Sequence, residues 1–477
     1  MIPDRDPRRQ DFASDRLFLP LALLCGVTSA LAATMPTAAA GLTLFVVLLV
    51  AAAAFPAQTG WAFLAGMMIL SDPLAMRRYD VGFGVFGADA LLLILPILLF
   101  HTVIRGDLST RGAIPVSVAV LGAAGPIFAA WAVTATGHDL RDIVGDLRRY
   151  FFYPLAFFLG LYLQHHTPNA LRRATKLGGV AALAISAMAI LRLASGQGYR
   201  PEQFQEEFRA FSFFDSTVLF LPFGFLIGCV LLQRSRRLLH GLLLVALLVL
   251  QAWSGYRLAW ALLLAVPLVA FALMAFRTRR LAYLLAALPL LAVAIAITVL
   301  MIWLQPELVA LWRERLRESA IALQNLQLTW RFLSWATAFN RFLEHPIGGV
   351  GLGYVHEFWI LNSAGAPVLT AHTTHNAFAT YLAQTGLIGL VLFGAVHLTY
   401  IRLLMRALSS VPLHELAYYI GLVSFYFAAL AVSNFQPFLS SPGGAALLYG
   451  LMGLSHGTLM RWSRSSATPT ADSPQPG

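Results

Sequence analysis

Residues 281–304 read LAYLLAALPLLAVAIAITVLMIWL, and residues 238–253 read LLHGLLLVALLVLQAW. The first run carries no charged residue and is long enough, as a helix, to cross a hydrocarbon layer of about 30 Å. Neither run alternates apolar with polar residues, as a strand of a transmembrane barrel must over roughly ten residues. Lipid offers no hydrogen bonds to the backbone, and a helix satisfies its own. These runs predict transmembrane helices, and the rest of the 477-residue chain repeats the pattern.

Composition agrees. The chain is 58% hydrophobic and 12% charged, with a mean hydropathy of +0.72. Soluble domains carry about 25% charged residues, so this chain cannot coat a soluble surface of its size. The expected fold class is an all-α polytopic membrane protein of about 12–14 transmembrane helices. Fourteen spans are expected at about 17–34, 38–56, 59–76, 88–104, 113–134, 150–165, 176–194, 212–232, 238–254, 257–276, 281–304, 376–400, 412–433 and 443–461. The third and sixth are short enough to be re-entrant, which makes twelve the alternative. The corresponding division is a bundle over 1–304, a long loop with amphipathic helices over 305–375, further spans over 376–462 and a disordered tail over 463–477.

The excess of 33 Lys+Arg over 22 Asp+Glu could mark a nucleic-acid surface, but the arginines sit in short clusters between apolar runs. Arg105 and Arg111, Arg172 and Arg173, Arg236 and Arg237, Arg279 and Arg280, and Arg402 and Arg406 fall on alternate connections. That is the positive-inside pattern with both termini cytoplasmic, and nucleic acid is not an expected partner. Cys25 and Cys229 lie inside apolar runs, with no disulfide framework and no Cys/His metal spacing.

The long outward loop, about 305–374, stands out because loops of this length usually carry function. Its first half, to His345, is expected to be helix on or near the membrane surface. A glycine-rich break follows over Gly348–Gly353. Such a stretch can present backbone N–H groups to a phosphate or simply turn between helices.

Three outward residues are singled out by position. Arg257 stands in a short hairpin between two apolar spans, and an arginine there either snorkels to headgroups or marks a substrate path. Arg331 shares a helical face with Trp335 and Ala338. His375 stands where the long loop enters the twelfth span, and it either caps the helix or accepts a proton near neutral pH. Arg209, in the outward loop before the eighth span, is a further candidate.

The stretch from Arg331 to Gly389 resembles the O-antigen ligase and polymerase superfamily. The similarity rests on Arg331 followed by Trp335, Ala338 and Phe342, then His345-Pro346-Ile347-Gly348; on His375-Asn376 followed after nine residues by Gly386-Leu387-Ile388-Gly389; and on Ser254-Gly255-Tyr256-Arg257 upstream. One departure is Asp215, which stands where the family often has Asn.

The resemblance implies a metal-independent, inverting glycosyltransferase of the GT-C type that needs no cofactor. It would take a glycan from undecaprenyl diphosphate at the outer face of a bacterial inner membrane and pass it to a sugar hydroxyl of lipid A–core. By that resemblance Arg257, Arg331 and Arg209 bind the diphosphate, His375 is the base, and Asn376, His372 and Glu344 support them. Partners would be the lipid-linked glycan, its acceptor and membrane lipids. Polymerisation of O-antigen or exopolysaccharide repeats is the alternative, ahead of protein glycosylation or lipid transport.

Overall fold

The computed structural model describes residues 50–69 except 52, 78–80, 84–98 except 92 and 93, 113–194, 212–252 except 234, 257–285, 292, 296, 326–361, 367–371 and 374–465 except 437. The span expected at 17–34, most of those expected at 38–56 and 281–304, and the loop from 305 to 325 fall outside these, as do Arg209 and His372.

Helices dominate. In chain order they are α1 (Pro56–Ile69), α2 (Ala113–Trp131), α3 (Leu140–Leu147), α4 (Ala156–His166), α5 (Ala170–Ala194), α6 (Phe213–Val218), α7 (Phe220–Leu232), α8 (Arg237–Ala252), α9 (Arg257–Thr278), α10 (Leu326–Glu344), α11 (Ala377–Leu408), α12 (Leu416–Val432) and α13 (Pro442–Ser465). The described strands form two short antiparallel hairpins, β1 (Arg78–Asp80) with β2 (Gly84–Phe86) and β3 (Glu357–Leu361) with β4 (Pro367–Ala371). Five described helices are long and apolar enough to cross a membrane: Ala113–Thr136, Ala170–Leu191, Phe213–Leu232, Leu258–Thr278 and Ala377–Leu408.

The helical run at the sixth expected span begins earlier than the sequence suggests. Helical backbone runs from Leu140 through a π segment at Arg148–Phe152 and a 3-10 turn at Tyr153–Leu155 into α4. The charges in Asp142, Asp146, Arg148 and Arg149 hide this first half from a hydropathy reading. Three of them are paired: Arg149 with Asp146 at 3.6 Å, and Arg148 with Asp89 at 2.8 Å, where the Tyr153 hydroxyl donates to the same carboxylate.

Large apolar side chains face outward along the long helices, among them Ile127, Leu183, Leu191, Leu268, Val391 and Leu398. That surface suits lipid rather than water. On α10 the exposed Phe332, Phe339 and Leu343 lie on one face that continues to Ile347. The stripe joins the exposed Leu387 and Ile388 of α11, because the Ile388 N–H donates to the Ile347 carbonyl.

Helices approach closely where side chains are small. A Cβ on Gly160 of α4 would collide with the Gly450 carbonyl of α13, and one on Gly453 with the Phe157 carbonyl. Such crossings stand in for the hydrophobic drive that lipid removes.

The decisive irregularity is in α11. Gly386 interrupts it at φ 60°, ψ −158°, a conformation open essentially only to glycine. The break would orphan backbone groups in a membrane protein, and the chain after α10 fills it. The N–H groups of Leu387 and Ile388 donate to the carbonyls of Pro346 and Ile347, at 2.9 and 3.2 Å. In return the N–H groups of Val350 and Gly351 donate to the carbonyls of Ala383 and Gln384, at 2.8 and 3.0 Å. Gly349, at φ 75°, approaches so closely that a Cβ would strike the Gln384 carbonyl. The glycine-rich stretch is thus a splice between two helices. Its Gly349, Val350, Gly351 and Gly353 N–H groups are all committed within the protein, so it is not a phosphate nest.

Gly386→Ala tests the splice. The added Cβ would meet the Ile347 carbonyl at an unfavourable φ, a cost of roughly 3 kcal/mol or more. Thermal unfolding in detergent should show a strongly lowered midpoint or no folded protein, and a native-like midpoint would contradict the assignment.

Candidate functional site

The splice joins the elements that carry two candidates. Arg331 is half-buried on α10, and His375 is half-buried just before α11. One helical turn after Arg331, the Trp335 indole N–H donates to the Thr374 carbonyl at 2.8 Å. The helix bearing the arginine is thereby tied to the peptide bond that enters the histidine.

His375 adopts a left-handed backbone at φ 50°, which costs a non-glycine residue about 1–3 kcal/mol and persists only where its surroundings enforce it. The enforcement is visible. The buried Thr374 hydroxyl donates to the Asn376 carbonyl at 2.9 Å and bonds the Thr380 hydroxyl. The Asn376 side chain caps α11 by accepting the Ala379 N–H at 3.0 Å. The Ala377 N–H donates to the Ser433 carbonyl at 2.9 Å. The cap is therefore Asn376, and His375 is not the capping residue.

Ser433 opens the turn between α12 and α13, and other candidate elements meet there. Phe435 lies 6.0 Å from the Trp335 ring, and Phe438 stacks on Phe214 of α6 at 5.3 Å. On α6, the Ser216 hydroxyl donates to the Gln251 side-chain oxygen at 2.7 Å, and the Gln251 amide returns a bond to the Ser216 carbonyl at 2.6 Å. Gln251 lies in the last turn of α8, before the segment leading to Arg257, the first residue of α9. Elements carrying Arg331 and His375, and the segment before Arg257, therefore all meet this turn or its immediate packing partner.

Asp215 also finds its role on α6. Its side chain accepts the Ser212 N–H at 3.0 Å while Ser212 caps the Asp215 N–H, a reciprocal capping box. The Asp in place of Asn serves the start of α6.

Glu344 pairs with Arg341 at 2.7 Å. Arg341 also donates to the Tyr354 hydroxyl at 2.7 Å and lies over its ring, so this pair fixes the loop after α10.

The hydropathy-based reading passed over two further groups. Asp146 is buried, and one of its oxygens accepts the Gly353 N–H at 2.9 Å and the Gln384 amide at 2.7 Å. It locks α3 to both sides of the splice. His356 is 4% exposed beside the Tyr354 ring. Burial first, and then the charge of Arg341, push its pKa down to about 4. Among the described residues no three His, Cys, Asp or Glu side chains gather as a metal site.

Residues 242–394 match the family model described as O-Antigen ligase. This segment is similar to the O-antigen ligase family over those residues. The matched segment includes Arg257, Arg331, Glu344, His372, His375 and Asn376, together with Trp335 and the whole splice. It covers about a third of the chain and excludes Arg209, Asp146 and the Ser433 turn. No curated protein matches the chain.

His356 yields a pH prediction. The unfolded chain binds this proton near the ordinary 6.5, and the folded chain only near 4. Its stability contribution is full above about pH 6.5 and is lost as pH falls through about 4, by at most about 3 kcal/mol. Thermal melts at pH 7.5 and 4.5 should show a smaller acid loss for His356→Phe than for the native protein. Equal acid losses would contradict the assignment.

Proposed function

We propose that this protein transfers a glycan from undecaprenyl diphosphate to an acceptor sugar hydroxyl, the lipid A–core in the ligase reading, at the periplasmic face of the inner membrane. The observation that carries the reading is the tie between α10 and the His375 peptide, inside a segment that matches the O-antigen ligase family. Members of that family are glycosyltransferase-like enzymes, and lipid-linked glycan donors and acceptors follow from it in general terms.

In this reading the acceptor hydroxyl oxygen attacks the anomeric carbon from the face opposite the diphosphate. The new glycosidic bond forms as the bond to the diphosphate oxygen breaks, and that oxygen leaves with the electron pair. The hydroxyl proton passes to the His375 imidazole. Base assistance of this kind is worth about 10²–10⁴-fold. Arg331 and Arg257 stabilise charge growing on the leaving diphosphate, because guanidinium groups stay charged and bond phosphate oxygens in pairs. Arg209 is a further diphosphate contact in the proposal. Asn376 supports His375 through the cap, and His372 and Glu344 complete the proposed surroundings. The donor carries its own activated leaving group, so the reaction needs no nucleotide, and the family resemblance implies that it needs no metal.

Purified protein with lipid-linked donor and acceptor tests this. His375→Ala should reduce transfer about 10²-fold or more, and unchanged turnover would overturn the base assignment. Arg331→Lys keeps the charge but loses the paired contact, and it should lose most activity; near-normal transfer would count against diphosphate clamping. EDTA should leave the native rate unchanged. Cells lacking the protein should accumulate undecaprenyl-linked polymer if it is a ligase, and should lack the polymer itself if it is a polymerase.

A further inference from the structure

The reaction proposed above needs the base and the phosphate-binding arginine at a fixed separation, and the two are 44 positions apart in sequence (375 − 331 = 44). The hairpin β3–β4 intervenes between them in the chain, and the splice ties the end of α10 to α11 near Gly386, away from both residues. One side-chain bond spans the gap directly. The Trp335 indole N–H reaches the Thr374 carbonyl at 2.8 Å.

We propose that Trp335 is a positioning residue that acts through this bond to hold His375 in register with Arg331, an inference that rests on the glycan-transfer reading. Thr374 contributes the carbonyl of the peptide whose nitrogen belongs to His375. Fixing that carbonyl restricts rotation of the whole peptide plane, and with it the left-handed φ of His375. On the far side, Asn376 is committed to the cap of α11 and Ala377 to Ser433. The histidine is therefore gripped from both directions, and Trp335 supplies the grip that comes from the arginine's helix. Trp335 lies one helical turn from Arg331, so the two share a face. Its ring contacts Phe332, at 5.5 Å, and Phe435, at 6.0 Å, and these contacts restrict the direction of the N–H. Misplacing a reacting group by about 1 Å can cost on the order of 10²-fold in rate, so this bond bears on turnover more than on donor binding.

The test replaces Trp335 by Phe and, separately, by 3-benzothienylalanine, which keeps the indole shape and substitutes sulfur for the N–H. Transfer is measured with the purified full chain, lipid-linked donor and acceptor, beside His375→Ala and the Trp335→Phe/His375→Ala double variant. Both single replacements should lower kcat about 10- to 100-fold while the donor KM stays within about twofold. The isostere should retain the native melting midpoint. The double variant should be no slower than His375→Ala alone, because Trp335 acts through the histidine. Native kcat in the isostere, with His375→Ala inactive, would overturn the positioning role and leave the base assignment standing. A further loss in the double variant would show that Trp335 acts elsewhere and would also overturn it. Full activity in His375→Ala would overturn both the positioning role and the transfer mechanism.

Discussion

A helix broken inside a membrane protein must find hydrogen-bond partners for the groups it exposes, since lipid provides none. The break at Gly386 sets that requirement here, and the segment Pro346–Gly351 meets it with four backbone bonds, two in each direction. Each bond requires close backbone approach, which explains the glycines at 349 and 386. The local geometry of α11 thereby dictates where α10 ends and how the chain returns to it. Asp146 reinforces the same joint from α3 by accepting bonds from Gly353 and Gln384 with one oxygen. A buried carboxylate in that position is costly without partners, and its two donors and nearby Arg149 offset the cost.

The joint also arranges polar chemistry at one place in a largely apolar protein. The half-helix before Gly386 begins with the Asn376 cap, and His375 lies immediately outside it. The turn that starts at Ser433 supplies a carbonyl to α11, an aromatic ring to Trp335 and another to Phe214. Ser216 and Gln251 extend the connection toward the start of α9. Residues distant in sequence become neighbours through ordinary hydrogen bonds and ring contacts, and the long apolar helices act as their frame.

Much of the frame was legible in the sequence, because apolar length is a direct readout of lipid exposure. The expected spans near 113–134, 212–232, 257–276 and 376–400 correspond to described helices. The first half of the α3–α4 run was not legible, since Asp146, Arg148 and Arg149 suppress hydropathy, and Asp89 and Gln384, which pair with Arg148 and Asp146, lie far away in the chain. The spacing from His375-Asn376 to Gly386 was visible as a family pattern. Its physical meaning, a capped half-helix ending at a break, depends on contacts with residues 346–351 that no local reading supplies. The Ser433–Phe438 turn was passed over, although Ser-Asn-Phe-Gln-Pro-Phe is an unusually polar and aromatic interruption between two apolar spans. Arg209 and His372 lie outside the described residues, and their assignments rest on the resemblance.

The family match and the geometry bear on different questions. The match to the O-antigen ligase family over 242–394 brings a class of chemistry, and the hydrogen bonds explain how this chain could hold residues suited to it. The central claim is that Arg257, Arg331 and His375 form one site around the donor diphosphate. Its most direct test is a cryo-electron microscopy map of the protein in lipid nanodiscs with an undecaprenyl-diphosphate-linked glycan bound. The account predicts diphosphate density between the Arg257 and Arg331 guanidinium groups, with the first sugar beside the His375 imidazole. Diphosphate density remote from these residues, or an Arg257 side chain directed away from the other two, would contradict it.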